Sequence, residues 1–267
     1  MSILGKPAKV INYLIRKIRY FGSTLKGKGE FCIHPSAKIK GCDIRVDKSS
    51  KLILAEHTCL KNVKLTITNG STVSLEPYAE LRQNTNPTRP HYIVNNGKLT
   101  VGHHSSLRTA RVWVRFGGEC RIGCYVSIND GSEIRADEKV EIGDYGMLSY
   151  NLRIWDTNTH TIYTAEKRAA LKRDHFPDSG YECERPKTAP VIIGKYSWIG
   201  ERSTILKGSV IGDDVIIGYN TLISNTTIPP HKVVVQKPEL VLYQKEKSEV
   251  DRGNPPVAAA PATPETP

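Results

Sequence analysis

The sequence predicts an all-β solenoid, in which short strands follow one another around triangular coils that stack along one axis. The main observation is an aliphatic residue at every sixth position of residues 193–228, namely Ile193, Ile199, Ile205, Ile211, Ile217 and Ile223. A six-residue period matches neither the helical period of 3.6 nor the two-residue alternation of a strand. Glycine follows four of these isoleucines and permits the backbone angles of a tight corner. The pattern therefore predicts coils of three sides, each with one inward aliphatic side chain.

The period also predicts which residues stack. A coil of about 18 residues, stacked at about the 4.8 Å spacing between neighbouring strands, places each aliphatic residue under its equivalent in the next coil. We therefore expect three stacked pairs: Ile193 with Ile211, Ile199 with Ile217, and Ile205 with Ile223.

A predicted β-helical domain of residues 31–243 includes earlier, less regular coils. Six-residue spacing is weaker there and is carried by Ile33 with Ile39, Val46 with Leu52, Ile67 with Val73, and the series Val101, Leu107 and Trp113. A proline-containing segment, residues 83–91, interrupts these coils and is expected to be a loop. Regular hexads run from Ile122 to Ile154, with a two-residue slip near residues 137–139.

Residues 1–30 predict a basic amphipathic helix, which accounts for much of the net charge of +11. Apolar residues recur at helical spacing, and no acidic residue interrupts the basic ones: Lys6, Lys9, Arg16, Lys17, Arg19, Lys26 and Lys28. Such a helix suits peripheral contact of residues 6–28 with an anionic membrane, or it caps the open end of the solenoid. No nucleic-acid recognition motif accompanies the charge, so a nucleic-acid partner is not expected.

The cysteines and the C-terminal residues complete the composition. The six cysteines lack the paired spacing of a metal site. Because the N-terminus lacks a long apolar run, we expect a cytoplasmic protein, at most at the inner face of the membrane, with its thiols reduced. Residues 244–267 are polar and then rich in Pro and Ala, and are expected to be disordered.

The hexads stop between Ile154 and Ile193, and residues 157–190 form a long excursion from the coil. A long insertion in an otherwise continuous repeat favours a functional role. His160 stands six residues after Ile154, where the chain is expected to leave the coil.

The segment SWIGERSTILKGSVIGDDVIIGYNTLISNTTIPP resembles the hexapeptide-repeat acyltransferases, which fold as a left-handed parallel β-helix. The resemblance extends over residues 122–230, and "IWDTNTH" followed by "WIG" is similar to the arrangement around the family's catalytic histidine. It implies a homotrimer with sites at the subunit interfaces. Acetyl-CoA would lie between neighbouring β-helices, and no metal would be needed.

The resemblance implies that His160 is the general base. An imidazole, with an ordinary pKa near 6.5, is suited to removing a proton from a hydroxyl near neutral pH. Asp156 or a backbone carbonyl would orient the ring. Asn129, in "SIND", matches the asparagine that contacts the acceptor or the tetrahedral intermediate, although a plain turn residue is the alternative.

The positions that match the acetyl-CoA site are Trp198, Gly200, Glu201, Tyr219 and Ser224. Tyr219 replaces a residue that is commonly small, and Asn225 replaces a frequent lysine. The nucleotide phosphates would therefore be held by Lys207, Arg202 or Lys237.

The leading hypothesis is an O-acetyltransferase that acts on a sugar hydroxyl of a bacterial surface polysaccharide or its precursor by direct transfer. An N-acetyltransferase acting on an amino sugar needs the same base and stays open as the alternative. Two less favoured hypotheses are a non-catalytic scaffold and a metal-binding β-helix. The latter requires histidines converging from neighbouring coils, and the sequence lacks a suitably spaced pair.

Overall fold

The computed structural model describes residues 20, 22–85, 87–175, 184–238 and 242, and shows a parallel β-solenoid built from three columns of strands. Strands are numbered along the chain, and consecutive coils place equivalent strands beside one another. The two longest strands, β10 and β12, bend and contribute to two columns each. The solenoid is a left-handed β-helix, as the sequence predicts.

Column one consists of β1 (Thr24–Lys26), β4 (Asp43–Val46), β7 (Lys64–Thr68), the first part of β10 (His91–Val101), the first part of β12 (Arg111–Ile122), β14 (Glu133–Ala136), β17 (Arg153–Trp155), β20 (Thr204–Leu206) and β23 (Leu222–Ile223).

Column two consists of β2 (Glu30–Ile33), β5 (Lys51–Leu54), β8 (Thr72–Leu75), the second parts of β10 and β12, β15 (Lys139–Ile142), β18 (Val191–Ile193), β21 (Val210–Ile211) and β24 (Thr227–Ile228).

Column three consists of β3 (Lys38–Lys40), β6 (Cys59–Lys61), β9 (Glu80–Arg82), β11 (Ser106–Leu107), β13 (Ser127–Ile128), β16 (Met147–Leu148), β19 (Trp198–Ile199), β22 (Ile216–Ile217) and β25 (Val233–Val234). The chain passes from column one to two at corner A, from two to three at corner B, and from three back to one at corner C.

The predicted stacking of the late coils is confirmed. The structure pairs Ile193 with Ile211, Ile199 with Ile217, and Ile205 with Ile223. All of these side chains are almost completely buried in a core that continues through every column. Parallel pairing and one inward aliphatic per side therefore explain the six-residue period.

The prediction that Trp113 continues the hexads of Val101 and Leu107 is wrong. Val112 and Val114 fill the core, and Trp113 lies on the outer surface of column one. Corner C before β12 is one residue shorter than in the next coil, since five residues lead from Leu107 to Val112 and six lead from their partners Ile128 to Ile134. The inward positions of β12 are therefore shifted by one. Because successive side chains in a strand face opposite sides, this shift turns the tryptophan outward.

The excursion leaves the solenoid at corner A, between β17 and β18, as the broken repeat predicts. Its described residues include a helix, α1 (Ala165–His175), which the repeat pattern did not indicate and which buries none of its residues. The two ends of the excursion are joined by an antiparallel bridge between Thr157 and Thr188. The amide of Asn158 also donates to the carbonyl of Lys187, at 3.0 Å.

A ladder of aromatic rings follows corner B. Six residues with left-handed backbone angles, φ between 56° and 62°, occupy one position in successive coils: His57, Tyr78, His104, Tyr125, Tyr145 and Tyr196. Adjacent rings stack with centroids 4.7–5.2 Å apart. A left-handed conformation is unfavourable for residues with a side chain, so ring stacking helps to offset this cost at each corner.

The chain divides into a solenoid unit, residues 1–236, and a short second unit, residues 237–267. Residues 1–19 of the predicted N-terminal helix lie outside the described residues, as does the whole of the predicted tail, residues 244–267. The prediction of a helix that continues to residue 30 is wrong, because Thr24–Lys26 form β1 and pair with β4, and β2 begins at Glu30. In the part of the chain that the structure describes, no helix has the length and hydrophobicity needed to cross a membrane. The cysteines of the described residues, Cys32, Cys42, Cys59, Cys120 and Cys124, are free thiols.

Replacement of Tyr125 tests the aromatic ladder, because its ring stacks on His104 at 4.9 Å and on Tyr145 at 5.2 Å. We expect Tyr125→Ala to lower the free energy of unfolding by about 1–3 kcal/mol, since both stacked contacts and an edge contact with His103 are lost. Tyr125→Phe keeps the ring and should retain nearly wild-type stability. Thermal and urea unfolding followed by circular dichroism measure the difference, and equal losses in both variants would contradict a stacking role.

Candidate active site

The first group of candidate residues lies on the outer surface of column three. A pocket of about 200 Å³ is lined by Ser127, Asn129, Met147, Leu148, Ser149 and Trp198. β13, β16 and β19 each contribute to it, because parallel pairing sets their equivalent residues side by side. The predicted residues Asn129 and Trp198 therefore share one pocket although 68 residues of chain separate them.

Asn129 is oriented by a residue from the preceding coil. The guanidinium of Arg108 donates from Nη1 to Asn129 Oδ1 at 3.3 Å, and this leaves the Asn129 amide nitrogen as a donor for another group. The next residue, Asp130, is buried. Its Oδ2 accepts hydrogen bonds from Asn84 and Thr85 of the 83–91 loop, both at 3.1 Å. The loop is thus attached beside the Asn129 pocket.

An apolar row extends this pocket along the column. Met147 pairs with Trp198, which pairs with Ile216, and Ile216 pairs with Val233. Met147, Trp198 and Val233 are all at least half exposed. An exposed row of this kind is unusual on the outside of a single chain and is suited to contact with an apolar ligand or another subunit.

Three more predicted positions lie near the end of this row, at corner C. Gly200 packs closely on the next coil, since a Cβ there would meet the Gly218 carbonyl carbon at 2.8 Å. Glu201 Oε1 accepts from Asn151 at 3.4 Å. Tyr219 is exposed, and its hydroxyl accepts a hydrogen bond from Arg202 Nη1 at 2.8 Å.

The second group of candidate residues lies at corner A. His160 is exposed and follows β17 by five residues, at the start of the excursion. The preceding residue, Thr159, has a φ of 69°. Its hydroxyl accepts from Arg135 Nη1 at 2.9 Å, and the Arg135 guanidinium lies 4.3 Å from the Trp155 ring centroid. The backbone that presents His160 is therefore held against column one.

Asp156, which the sequence predicts to orient His160, lies between two coils at the base of the excursion. Its side chain is completely buried, and the carboxylate accepts from three backbone amides of the coil before it, Asp137 at 2.8 Å, Glu138 at 2.7 Å and Lys139 at 2.6 Å. Burial raises the pKa of Asp156 to about 6, although these amide hydrogen bonds act to lower it. These contacts join two coils at the base of the excursion, and orientation of His160 by Asp156 stays a prediction.

The remaining predicted cofactor residues are divided between corner A and the second unit. Lys207 and Ser224 follow β20 and β23, which places both at corner A, on the same side as the excursion. The amide of Asn225 donates to the Lys207 carbonyl at 3.2 Å. Lys237 is exposed and belongs to the short second unit.

Within one chain, the candidate residues therefore form two groups at opposite ends of the column-one strands. The Asn129 group is at corner C and on column three, and the His160 group is at corner A. A strand of four or five residues separates the corners by about 15 Å. Among the described residues, no group of three or more His, Cys, Asp or Glu side chains gathers as a metal site.

Comparison with known proteins finds chains and a repeat model that are similar to this protein. A family model described as bacterial transferase hexapeptide (six repeats) matches residues 190–234. A protein named for O-acetyl transfer in lipopolysaccharide biosynthesis, WbbJ of Escherichia coli (strain K12), is 25% identical over 57% of this chain and 75% of its own length. The chain is an acyltransferase that carries hexapeptide repeats over residues 190–234.

Two further proteins are similar to this chain. SACOL2570 of Staphylococcus aureus (strain COL), named as an acetyltransferase, is 33% identical to the acyltransferase over 64 residues, which are 24% of this chain and 30% of that protein. The solved structure of NeuO, titled a polySia specific acetyltransferase, superposes with a TM-score of 0.50 at 15% identity. It covers 87% of the acyltransferase and 93% of NeuO. At this identity the NeuO structure supports the fold.

Sequence reasoning did not find Arg108 and Arg135, the arginines that contact Asn129 and Thr159. Each stands about one coil before its partner. The coils here are 20 to 22 residues long, as the strand registers show, so a search at a fixed spacing of 18 does not find them.

The buried carboxyl of Asp156 makes stability depend on pH. Because its pKa is raised to about 6 from an ordinary value of 3.8, the folded protein holds this proton more tightly than the unfolded chain. The stabilisation of the folded state that comes from this tighter proton binding is fully present below about pH 4 and is lost as the pH rises through about 6. We expect the stability of the wild type relative to Asp156→Asn to fall across this range by on the order of 2 kcal/mol.

Urea unfolding at pH values between about 4 and about 7 tests this expectation. Asp174→Asn is the matched control, since the side chain of Asp174 on α1 is 63% exposed. A stability difference between wild type and Asp156→Asn that does not change with pH would contradict the assignment.

Proposed function

We propose that the acyltransferase moves an acetyl group from acetyl-CoA to a sugar hydroxyl, with His160 as the general base. The observation that carries this proposal is the interruption of a regular β-helix at corner A, where Thr159 is hydrogen-bonded to Arg135 and His160 comes next. A rigid coil that presents one exposed histidine at the exit of a loop is suited to positioning a base.

In the proposed reaction, an imidazole nitrogen of His160 takes the proton of the acceptor hydroxyl while its oxygen attacks the thioester carbonyl carbon. The tetrahedral intermediate then expels the CoA thiolate, which takes up the proton that His160 received. The acetyl group passes directly to the acceptor, so no acyl-enzyme forms. General-base catalysis of this kind contributes about 10²- to 10⁴-fold to the rate.

Asn129 is proposed to stabilise the oxyanion of the intermediate. Arg108 occupies its side-chain oxygen, so its amide nitrogen is available to donate. The backbone amide of Gly200 is a poorer candidate, because it already donates to the Ile217 carbonyl at 2.7 Å.

The apolar row of column three is the proposed site of the pantetheine arm of acetyl-CoA. Trp198 and Met147 expose apolar surface there, and Ser149 and Asn129 add polar groups beside them. Glu201 and Tyr219 at corner C would complete these contacts, and Arg202 of the same corner would hold phosphates. Ser224 and Lys207 lie at corner A and would reach the cofactor from a neighbouring subunit, while Lys237 of the second unit stays a sequence-based candidate.

A homotrimer is proposed to bring the two groups of residues together. The His160 group and the Asn129 group lie at opposite corners of one coil, so a neighbouring subunit would supply the complement of each. The exposed row of Met147, Trp198 and Val233 offers apolar surface for such an interface. The names of the relatives support a bacterial surface polysaccharide or its precursor as the acceptor, and hence a site of action on the cytoplasmic side.

Substitution of the proposed base gives the first test. We expect His160→Ala to lower kcat for acetyl transfer from acetyl-CoA to oligosaccharides by at least about 100-fold, with the KM for acetyl-CoA nearly unchanged. His175→Ala, in α1 of the same excursion, is the matched control and should retain wild-type turnover. Release of CoA thiol with and without acceptor measures both, and a fully active His160→Ala would refute the mechanism.

Substitution of Trp198 tests the acetyl-CoA site. We expect Trp198→Ala to raise the KM for acetyl-CoA about tenfold, because the loss of one buried aromatic contact costs about 1.5 kcal/mol or more. Val210→Ala is the control, since Val210 is 40% exposed on column two. If both variants keep the wild-type KM, the pantetheine arm does not lie on the column-three row.

A further inference from the structure

A row of basic side chains on column three leads directly to Asn129. Lys40, Lys61, Arg82 and Arg108 occupy the same outward position in four successive coils, and Asn129 occupies it in the fifth. We infer that the acceptor of the acyltransferase is an acidic glycan, whose carboxylate or phosphate groups bind along this basic row. The inference rests on the proposed function and adds to it the charge class of the acceptor.

The strand registers define the row. Lys40 pairs with Lys61, and Lys61 pairs with Arg82. Arg108 and Asn129 directly follow Leu107 and Ile128, which pair with each other, and Leu107 also pairs with Leu81. Steps of about 4.8 Å give a row of about 19 Å from Lys40 to Asn129. This length suits several residues of an extended chain.

The arginines of the row retain unused hydrogen-bonding capacity. The Nε atoms of Arg82 and Arg108 are buried and have no hydrogen-bond partner. Arg82 Nε lies 3.4 Å from Glu80 Oε2, but this is an ion-pair contact without a hydrogen bond. A buried donor without a partner is costly, and an anionic group or a water held beside it would satisfy it.

Basic residues on column two are placed differently. Lys51, Lys98 and Lys139 each lie within 3.4 Å of a glutamate, respectively Glu30, Glu119 and Glu141. Their charges are balanced locally, as is common on a sheet surface. The difference lies in the order of the charges and not in a lack of ion pairs, since Arg82 is also 3.4 Å from Glu80. Acidic, neutral and basic residues are mixed along this outward position of column two, whereas the column-three row has four basic residues in succession.

The 83–91 loop is hydrogen-bonded beside both ends of the row. At one end, Arg89 donates to the carbonyl of Gly41, the residue after Lys40. At the other end, Asn84 and Thr85 donate to Asp130, the residue after Asn129. The loop is therefore attached to corner C at both ends of the row, and the row with this attached loop is the proposed glycan track.

This geometry favours a glycan over other polyanions. Charges one coil apart in single file match a linear chain that carries regularly spaced anions, and arginine binds carboxylates and phosphates through paired donors. The five positions of the row include no aromatic residue on which nucleic-acid bases could stack. A lipid surface would have to contact the row past the adjoining loop.

A kinetic comparison tests the inference in the full chain. Lys40→Gln/Lys61→Gln removes two charges far from Asn129, and Lys98→Gln/Lys139→Gln removes two charges from column two. We expect the first double variant to raise the KM for oligogalacturonate about fivefold, in line with exposed charge contacts. The KM values for acetyl-CoA and for neutral malto-oligosaccharides should stay the same. The column-two variant should behave as wild type.

A binding measurement separates failure of this inference from failure of the proposed function. Fluorescence anisotropy with labelled oligogalacturonate needs no turnover, and binding should weaken in the Lys40/Lys61 variant and on raising NaCl from about 50 to about 300 mM. Such binding without acetyl transfer to any sugar would support the track and refute the proposed function. Equal affinity for neutral and acidic oligosaccharides, or equal losses in both double variants, would overturn the acidic-glycan inference. Binding only to anionic phospholipid vesicles would overturn it as well.

Discussion

Parallel stacking of coils at a spacing of one hydrogen bond is the constraint on which the rest of the structure depends. Each coil must place an aliphatic side chain under the corresponding residue of the next coil, as Ile199 does under Ile217. A change of length within a strand would turn the inward residues outward. Extra residues are therefore accommodated at corners, and the coils of this protein differ in length there.

The same constraint explains where the functional groups lie. Strand interiors are committed to pairing and core packing, so chemistry is confined to outward positions and corners. The excursion with His160 extends from corner A, while the 83–91 loop is attached along corner C by Asp130 and Gly41. Stacking also turns equivalent outward positions into continuous rows. An aromatic ladder, an apolar row and a basic row result, and each has properties that no single residue provides.

Electrostatics at the base of the excursion connect stability with the candidate site. Asp156 is completely buried and holds three amides of the preceding coil. Beside it, Arg115 forms a buried bidentate ion pair with Asp137, at 2.9 and 2.7 Å. Paired and hydrogen-bonded charges of this kind are costly to disrupt. The corner from which His160 is presented is thus among the more rigid parts of the coil.

The sequence by itself determined the solenoid, the stacking of its late coils, the position of the excursion and the choice of His160 and Asn129 as candidates. A six-residue period reports directly on which side chains face the core, so the solenoid, its stacking and the excursion needed only local information. The choice of His160 and Asn129 rested on the resemblance to the hexapeptide-repeat acyltransferases. The tertiary structure alone decided that Trp113 faces outward, that Asp156 binds backbone amides, and that Lys40, Lys61, Arg82 and Arg108 form one row. These facts depend on coil lengths that vary from corner to corner, and only the hydrogen-bonded register between coils defines them.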